Sequence, residues 1–335
     1  MGQLRRAVRD EGGGLGAGRL NVFVTGAGLV GCHVARLLAE RGHNAVLYDL
    51  APRQEYIRSV APQAEIVQGD VRDLPTLMDS LRHCSADVVF HSAFLIGQRI
   101  NDHPHAGMSS NVDGAMALAE AARLSGVRRF LFSSTFGIYR WDLSPAEPIS
   151  EDFPVGGERF YAASKIACER ILAAFATWYG LEFAILRFAQ IYGRGHYAGG
   201  DAAGPAVHAA LAEALAGSPV RLDPGTLSTN DYVYAADVAM GVVLACERAL
   251  KHDIYNLGSG RLSSSQDVAA AIQAAVPGAD VTVLPKPLEG PFWRHEQRLD
   301  VSRSQADLGY DPAFDLSRGM ADFVEHLHKQ KGGPW

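Results

Sequence analysis

Apolar positions along the chain follow two rhythms. Asn21–Thr25, Ala45–Tyr48, Ala64–Gln68, Asp87–His91, Arg129–Ser133 and Leu181–Phe188 are short runs rich in Val, Ile, Leu and Phe, the text of strands buried on both faces. Between them, Val30–Arg41, Leu74–Leu81, Asn111–Ser125 and Ala162–Tyr179 carry helical text. Strands alternating with helices predict an α/β fold, a doubly wound parallel sheet covered on both faces. After Arg187 the alternation weakens and the glycines and prolines of Gly193–Pro205 intervene. Helices near Ala206–Ala216, Ala236–Ala249 and Ser264–Ala275, with a strand at Asp253–Leu257, then predict a smaller mixed lobe that faces the substrate. The expected division is a glycine-rich flexible extension over 1–20, a main domain over 21–188 and the substrate-binding lobe over 189–335, with part of 232–260 returning to the main domain.

Composition narrows the partners. The 335 residues include 31 Lys and Arg against 37 Asp and Glu, a net charge of −6, which offers no general attraction to a nucleic-acid backbone. The longest apolar runs, such as Val238–Cys246, fall well short of the ~20 residues that span a bilayer. No charged start leads into an apolar stretch, so a cytoplasmic protein without membrane partners is expected. Cys32, Cys84, Cys168 and Cys246 are too dispersed for a zinc pattern and read as reduced thiols. His103-Pro104-His105 and His326-Leu327-His328 lack a Cys or carboxylate at ligand spacing; they read as a solvated loop and a solvated tail, and no metal is expected.

Thr25-Gly26-Ala27-Gly28-Leu29-Val30-Gly31 follows the first strand and opens the first helix, the context in which Gly-x-Gly-x-x-Gly has a mechanism. Gly26 allows the tight turn, Gly28 lets the backbone approach a pyrophosphate, and Gly31 lets helix pack on strand. The amides near Leu29 and Val30 meet the phosphates with the positive end of the helix dipole. This makes the sheet a Rossmann-type, dinucleotide-binding one. Asp49 ends the second strand, where a carboxylate accepts from ribose hydroxyls and repels a 2′-phosphate, selecting NAD over NADP; Arg53 is the one feature that softens this preference. Asp70, after the third strand, is placed to take the adenine amino group, and Asp73 reads as a helix cap.

Tyr161-Ala162-Ala163-Ser164-Lys165 sets a phenol and an ammonium four residues apart on one helix face. A phenol of pKa about 10 is a poor base at neutral pH, and a neighbouring cation favours its phenolate. Strand Arg129–Ser133 runs into Ser134-Thr135, hydroxyls at the carboxyl end of a parallel strand, where such sheets hold ligands. In this order the motifs resemble the extended short-chain dehydrogenase/reductase family, the NAD-dependent epimerase/dehydratase group, from about Asn21 to Phe323. The resemblance implies that Tyr161 is the acid/base, that Thr135 orients the substrate hydroxyl, and that Lys165 tunes Tyr161 and holds the nicotinamide ribose. It assigns Asp70 and Val71 to the adenine and His91-Ser92-Ala93 to the segment under the nicotinamide ribose. Asn111, which starts Asn-x-x-Gly, Ser133 and Phe188 complete the cofactor set. Asp231-Tyr232-Val233 with Asp237-Val238 matches a late signature, and the helices from Asn111 and around Tyr161 imply a homodimer.

Three departures bear on the substrate. Phe136-Gly137 follows Thr135 where dehydratases of this family carry an Asp-Glu pair, so elimination of water lacks its acid and base. Asn230 stands where nucleotide-sugar enzymes carry an Arg for pyrophosphate, and Gln190 replaces an Asn that meets the same ligand; a neutral amide does not replace a guanidinium. Arg294 and Arg298 are the remaining candidates for gripping a phosphate or carboxylate. The expectation is NAD-dependent hydride transfer at a secondary alcohol of a small sugar-like or hydroxy-acid substrate. Nucleotide-sugar epimerisation through a transient ketone is the alternative, and a non-catalytic NAD sensor is a third reading.

Overall fold

The computed structural model describes residues 18–143, 148–195, 203–285 and 297–329. Most of the expected extension, through residue 17, and Arg294 lie outside them.

Seven parallel strands form the central sheet: β1 (Asn21–Thr25), β2 (Asn44–Asp49), β3 (Glu65–Gln68), β4 (Val88–His91), β5 (Arg129–Thr135), β6 (Glu182–Phe188) and, after three lobe strands, β10 (Ile254–Leu257). Their spatial order is β10-β6-β5-β4-β1-β2-β3. The chain winds outward through β2 and β3, then returns to lay β4 beside β1, and this reversal opens a crevice at the strand carboxyl ends. Alternation builds two cores. Val22, Val24, Leu47, Val88, Phe90 and Leu131 face one side, with α1 (Leu29–Glu40) and α2 (Gln54–Val60). Phe23, Val46, Tyr48, Val89, Phe130 and Phe132 face the other, with α3 (Leu74–His83). The short α4 (Gln98–Asp102) and α5 (Pro104–Met108) lead into α6 (Gly114–Leu124) and α7 (Phe160–Tyr179), which cover that second face. Asp73 caps α3, accepting from the Thr76 amide at 3.2 Å, and Gly180, at φ +70°, ends α7.

In the lobe, β7 (Gln190–Tyr192) pairs with β9 (Tyr232–Tyr234), and β8 (Val220–Leu222) with β11 (Val281–Val283). Around them pack α8 (Ala203–Leu215), α10 (Ser265–Ala275) and α12 (Leu316–Lys329), sharing a third core with Val207, Leu211, Ile272 and Phe323. After β9, α9 (Ala235–Glu247) packs on α1, and β10 pairs with β6. The short α11 (Ser302–Leu308) packs beside β10. His326-Leu327-His328, expected as a solvated tail, belongs to α12, where Leu327 packs on the lobe core. β5 runs two residues beyond its expected end because Ser134 and Thr135 keep pairing with Arg187 and Phe188, which carries the hydroxyl cluster to the sheet edge. Among the described residues no helix is long and apolar enough to cross a membrane.

Candidate active site

At the crevice lies a cavity of about 900 Å³. Its floor is the turn after β1. Gly26 sits at φ +88°, and a Cβ there would fall 2.9 Å from the Ala93 amide nitrogen. A Cβ on Gly31 would come within 2.0 Å of the Gly26 carbonyl oxygen. Both positions therefore require glycine, and the space it leaves admits a ligand against bare backbone. Helix α1 begins at Gly28 with no side-chain cap and no acidic residue in its first turn, so its leading amides keep their capacity for phosphate. Asp49 lines the same cavity; its Oδ2 accepts from the Ala27 amide and its Oδ1 from the Ala51 amide, both at 2.8 Å. The carboxylate thus fixes the glycine turn it adjoins. These features fit a dinucleotide.

Gly26, Gly28, Leu29, Val30, Gly31, Asp49, Ser92, Ala93, Ser133, Thr135, Tyr161, Lys165, Phe188 and Gln190 all line this one cavity. Lys165 is its electrostatic centre. The ammonium is buried, with only 2% of the residue exposed, and donates to the Ser133 carbonyl at 2.6 Å and the Ser133 Oγ at 3.4 Å. Burial pushes its pKa down to about 7. It stands 5.6 Å from the centre of the Tyr161 ring, in position to favour a phenolate there. Thr135 ends β5 with its Oγ1 accepting from the Gly137 amide at 3.1 Å, while Phe136 turns into the core. His91, fully buried, meets Thr25 Oγ1 through Nδ1 at 2.7 Å, and burial, then the charge of Lys165, brings its pKa down to about 3.

Two anchors hold the helix that carries Tyr161 and Lys165. Asn111 donates to the Leu95 carbonyl at 3.0 Å and to Ser164 Oγ at 3.1 Å, and accepts from the Leu95 amide at 2.8 Å. One turn beyond Lys165, Glu169 makes a buried bidentate pair with Arg187 of β6, at 3.1 and 2.8 Å. Arg187 also donates to Tyr139 Oη at 3.1 Å and to the Glu151 carbonyl at 2.9 Å.

Several sequence candidates lie off the cavity. Asp70 is bound bidentately by Arg72, its Nη2 at 2.5 Å, and Val71 is buried against Gly114. Asn111 is wholly buried and positions its neighbours. Asn230 is also buried, its backbone bridging Ser263 and its Oδ1 accepting from the Asp231 amide at 3.2 Å. Arg298 donates to the Gly260 carbonyl at 2.9 Å. The aspartates of the late signature serve the fold: Asp231 accepts from the amides of Ser259, Gly260 and Leu299, and Asp237 from those of Ala313 and Phe314. Sequence reading missed Phe94, Arg99, Arg140, Trp141 and Arg159, all on the cavity wall; they lie in loops and helix starts where no fixed spacing marks them.

A family model for the NAD-dependent epimerase/dehydratase family matches residues 22–258. The chain is 35% identical to a UDP-glucose 4-epimerase of Mycolicibacterium smegmatis, over 93% of this chain and 99% of the relative. It is 28% identical to a putative UDP-glucose 4-epimerase of Methanocaldococcus jannaschii, over 91% and 98%. Among solved structures, the Thermotoga maritima UDP-glucose 4-epimerase with UDP-glucose superposes with a TM-score of 0.81 at 25% identity, over 93% and 100% of the two chains. The Thermus thermophilus UDP-glucose 4-epimerase with NAD gives 0.79 at 27%, again over 93% and 100%. These likenesses favour the epimerase alternative over net oxidation of a small substrate. With its glycine cradle, its Tyr161 and Lys165 pair and this match over most of its length, the chain belongs to the NAD-dependent epimerase/dehydratase family, enzymes of the extended short-chain dehydrogenase/reductase type.

Proposed function

We propose that the protein epimerises a nucleotide sugar of the UDP-glucose type at a secondary alcohol, through a transient ketone. The observation that carries this reading is the pairing of Thr135, Tyr161 and Lys165 on one wall with a buried Phe136 and a Gly137 where eliminating relatives need an acid and a base. Bound NAD supplies a hydride acceptor and donor. Tyr161 takes the hydroxyl proton as its phenolate and returns it to the ketone oxygen after the sugar has turned. Thr135 Oγ1 orients that oxygen, and the Lys165 charge keeps the phenolate accessible near neutral pH. Asp49 supports a preference for NAD, and Gly26 through Gly31 its pyrophosphate.

A second reading, net oxidation of a small sugar-like or hydroxy-acid substrate, is favoured by Gln190, a neutral amide on the cavity wall that offers a pyrophosphate no cation. Titration of the NAD-loaded protein with UDP separates the two. Micromolar binding, together with interconversion of UDP-glucose and UDP-galactose followed by proton NMR, is expected for the epimerase. Absence of both, with NADH accumulating on sugar acids or polyols, would replace it with the dehydrogenase reading.

Tyr161→Phe removes only the transferable proton, so turnover should fall by about 10²–10⁴-fold while calorimetry still detects NAD binding. Retention of most of the rate would remove Tyr161 from the acid/base role.

For assembly we propose a homodimer. Met116 and Leu124 of α6 and Phe160, Trp178 and Tyr179 of α7 are exposed apolar side chains on two adjacent helices, Trp178 at 75%, and a second copy is the partner that offers the same surface in return. Sedimentation velocity should give a dimer that Trp178→Glu dissociates; a monomeric unmodified protein would refute this. The four free cysteines support a reducing, cytoplasmic location.

A further inference from the structure

The Lys165 ammonium is desolvated, and none of the ion pairs among the described residues neutralises it. Glu169, on the same helix, favours the ammonium through its charge, but both its carboxylate oxygens are bound by Arg187 and it makes no ion pair with Lys165. From β4, His91 faces the site uncharged, and Cys168 carries no charge because burial pushes its thiol up to about 11. Asn111, Ser133 and Ser164 are neutral, and Tyr161 is the group that the ammonium must influence.

Besides Ser133, what meets the charge is aromatic. Lys165 Nζ lies 3.1 Å from the centre of the Phe94 ring and 4.9 Å from that of Phe132. Phe94 is wedged in place, edge-to-face on Phe132 with centroids 5.5 Å apart and tilted on His91 at 4.8 Å. It follows directly on Ala93, which shares the cavity wall with it. An aromatic face carries negative quadrupole density, and its attraction for a cation is strongest where water is excluded.

We propose that Phe94 is a positioning residue for the reaction: its ring face holds the Lys165 ammonium charged and beneath Tyr161, in the place a carboxylate would otherwise take. An aromatic face suits this site better than an acid does. A carboxylate would neutralise the cation and add a negative charge that disfavours the Tyr161 phenolate, whereas the ring stabilises the cation and leaves its field intact. With burial bringing the ammonium close to neutrality, a modest attraction decides whether Lys165 is charged at the pH of the reaction.

The test titrates Lys165 directly. The chain has five lysines, so ¹³Cε-lysine labelling gives few resonances, and Lys165→Met identifies the one of interest. Mono-, di- and trifluorophenylalanine at position 94 keep the ring's shape while withdrawing its π density. The Lys165 titration midpoint, in the full chain with and without NAD, should fall stepwise with fluorine count. Phe94→Leu should lower it by roughly 0.5–1.5 pH units, and Phe94→Tyr should leave it in place. The window of activity should narrow in parallel, its acid limb moving up as Tyr161 loses its charged neighbour and its alkaline limb moving down as Lys165 deprotonates earlier. A packing role would lower activity evenly across pH without moving either limb. An unchanged midpoint across the fluorinated series would overturn the proposal. The proposal rests on Lys165 acting through Tyr161, yet the midpoint is read without any substrate, so its failure and that of the epimerase reading are separate results.

Discussion

The site depends on the buried Lys165 ammonium, which makes no ion pair with a carboxylate among the described residues. Taking an ammonium out of water costs several kcal/mol unless hydrogen bonds and favourable fields replace hydration. Here the Ser133 carbonyl, the Ser133 hydroxyl and two aromatic faces supply that replacement. The arrangement works only if helix α7 is fixed against β5 and β6. Glu169 with Arg187 fixes it from one side and Asn111 with Ser164 from the other. Truncating Glu169 would leave a buried guanidinium unpaired, disturbing the catalytic helix without touching a ligand.

Sheet topology supplies the rest. All seven strands are parallel, so Thr25, His91, Thr135 and Phe188 reach one edge, and the reversal between β1 and β4 opens that edge to a ligand. The lobe is bound to the main domain by backbone knots: the Asp231 carboxylate gathers three amides from two separate segments, and β10 extends the central sheet beside β6. The lobe and the main domain therefore share one continuous wall at the crevice.

Much of this was legible in the sequence because the requirements are local. The glycine turn demands fixed spacings, buried parallel strands demand apolar runs, and Tyr161 and Lys165 share a helix face by their four-residue separation. What stayed hidden depends on contacts between distant segments. Nothing near Phe94 announces that it will face Lys165, seventy-one positions later, and Arg140 and Arg159 reach the cavity through loop geometry. Local partners also hold residues that stand at motif positions. Asp70 stands at the adenine position of the motif, and Arg72, two residues on, donates to both its carboxylate oxygens. Asn230 stands at a ligand position, but its backbone is bridged to Ser263 and its side chain is buried. The amphipathic α12 carries its signal in the spacing of Met320, Phe323 and Val324, which pack in the lobe core, and not in its histidines.

If the protein epimerises as proposed, the hydrogen leaving the carbinol carbon stays within the site and returns to the same carbon while only the Tyr161 proton exchanges. UDP-glucose deuterated at C4 tests this most directly when it is turned over by the NAD-loaded protein in ordinary water. The expected product is UDP-galactose that keeps its deuterium at C4, with no net NADH. Product whose C4 label has been replaced by solvent hydrogen would show that the carbon is inverted by proton abstraction, and would contradict the account.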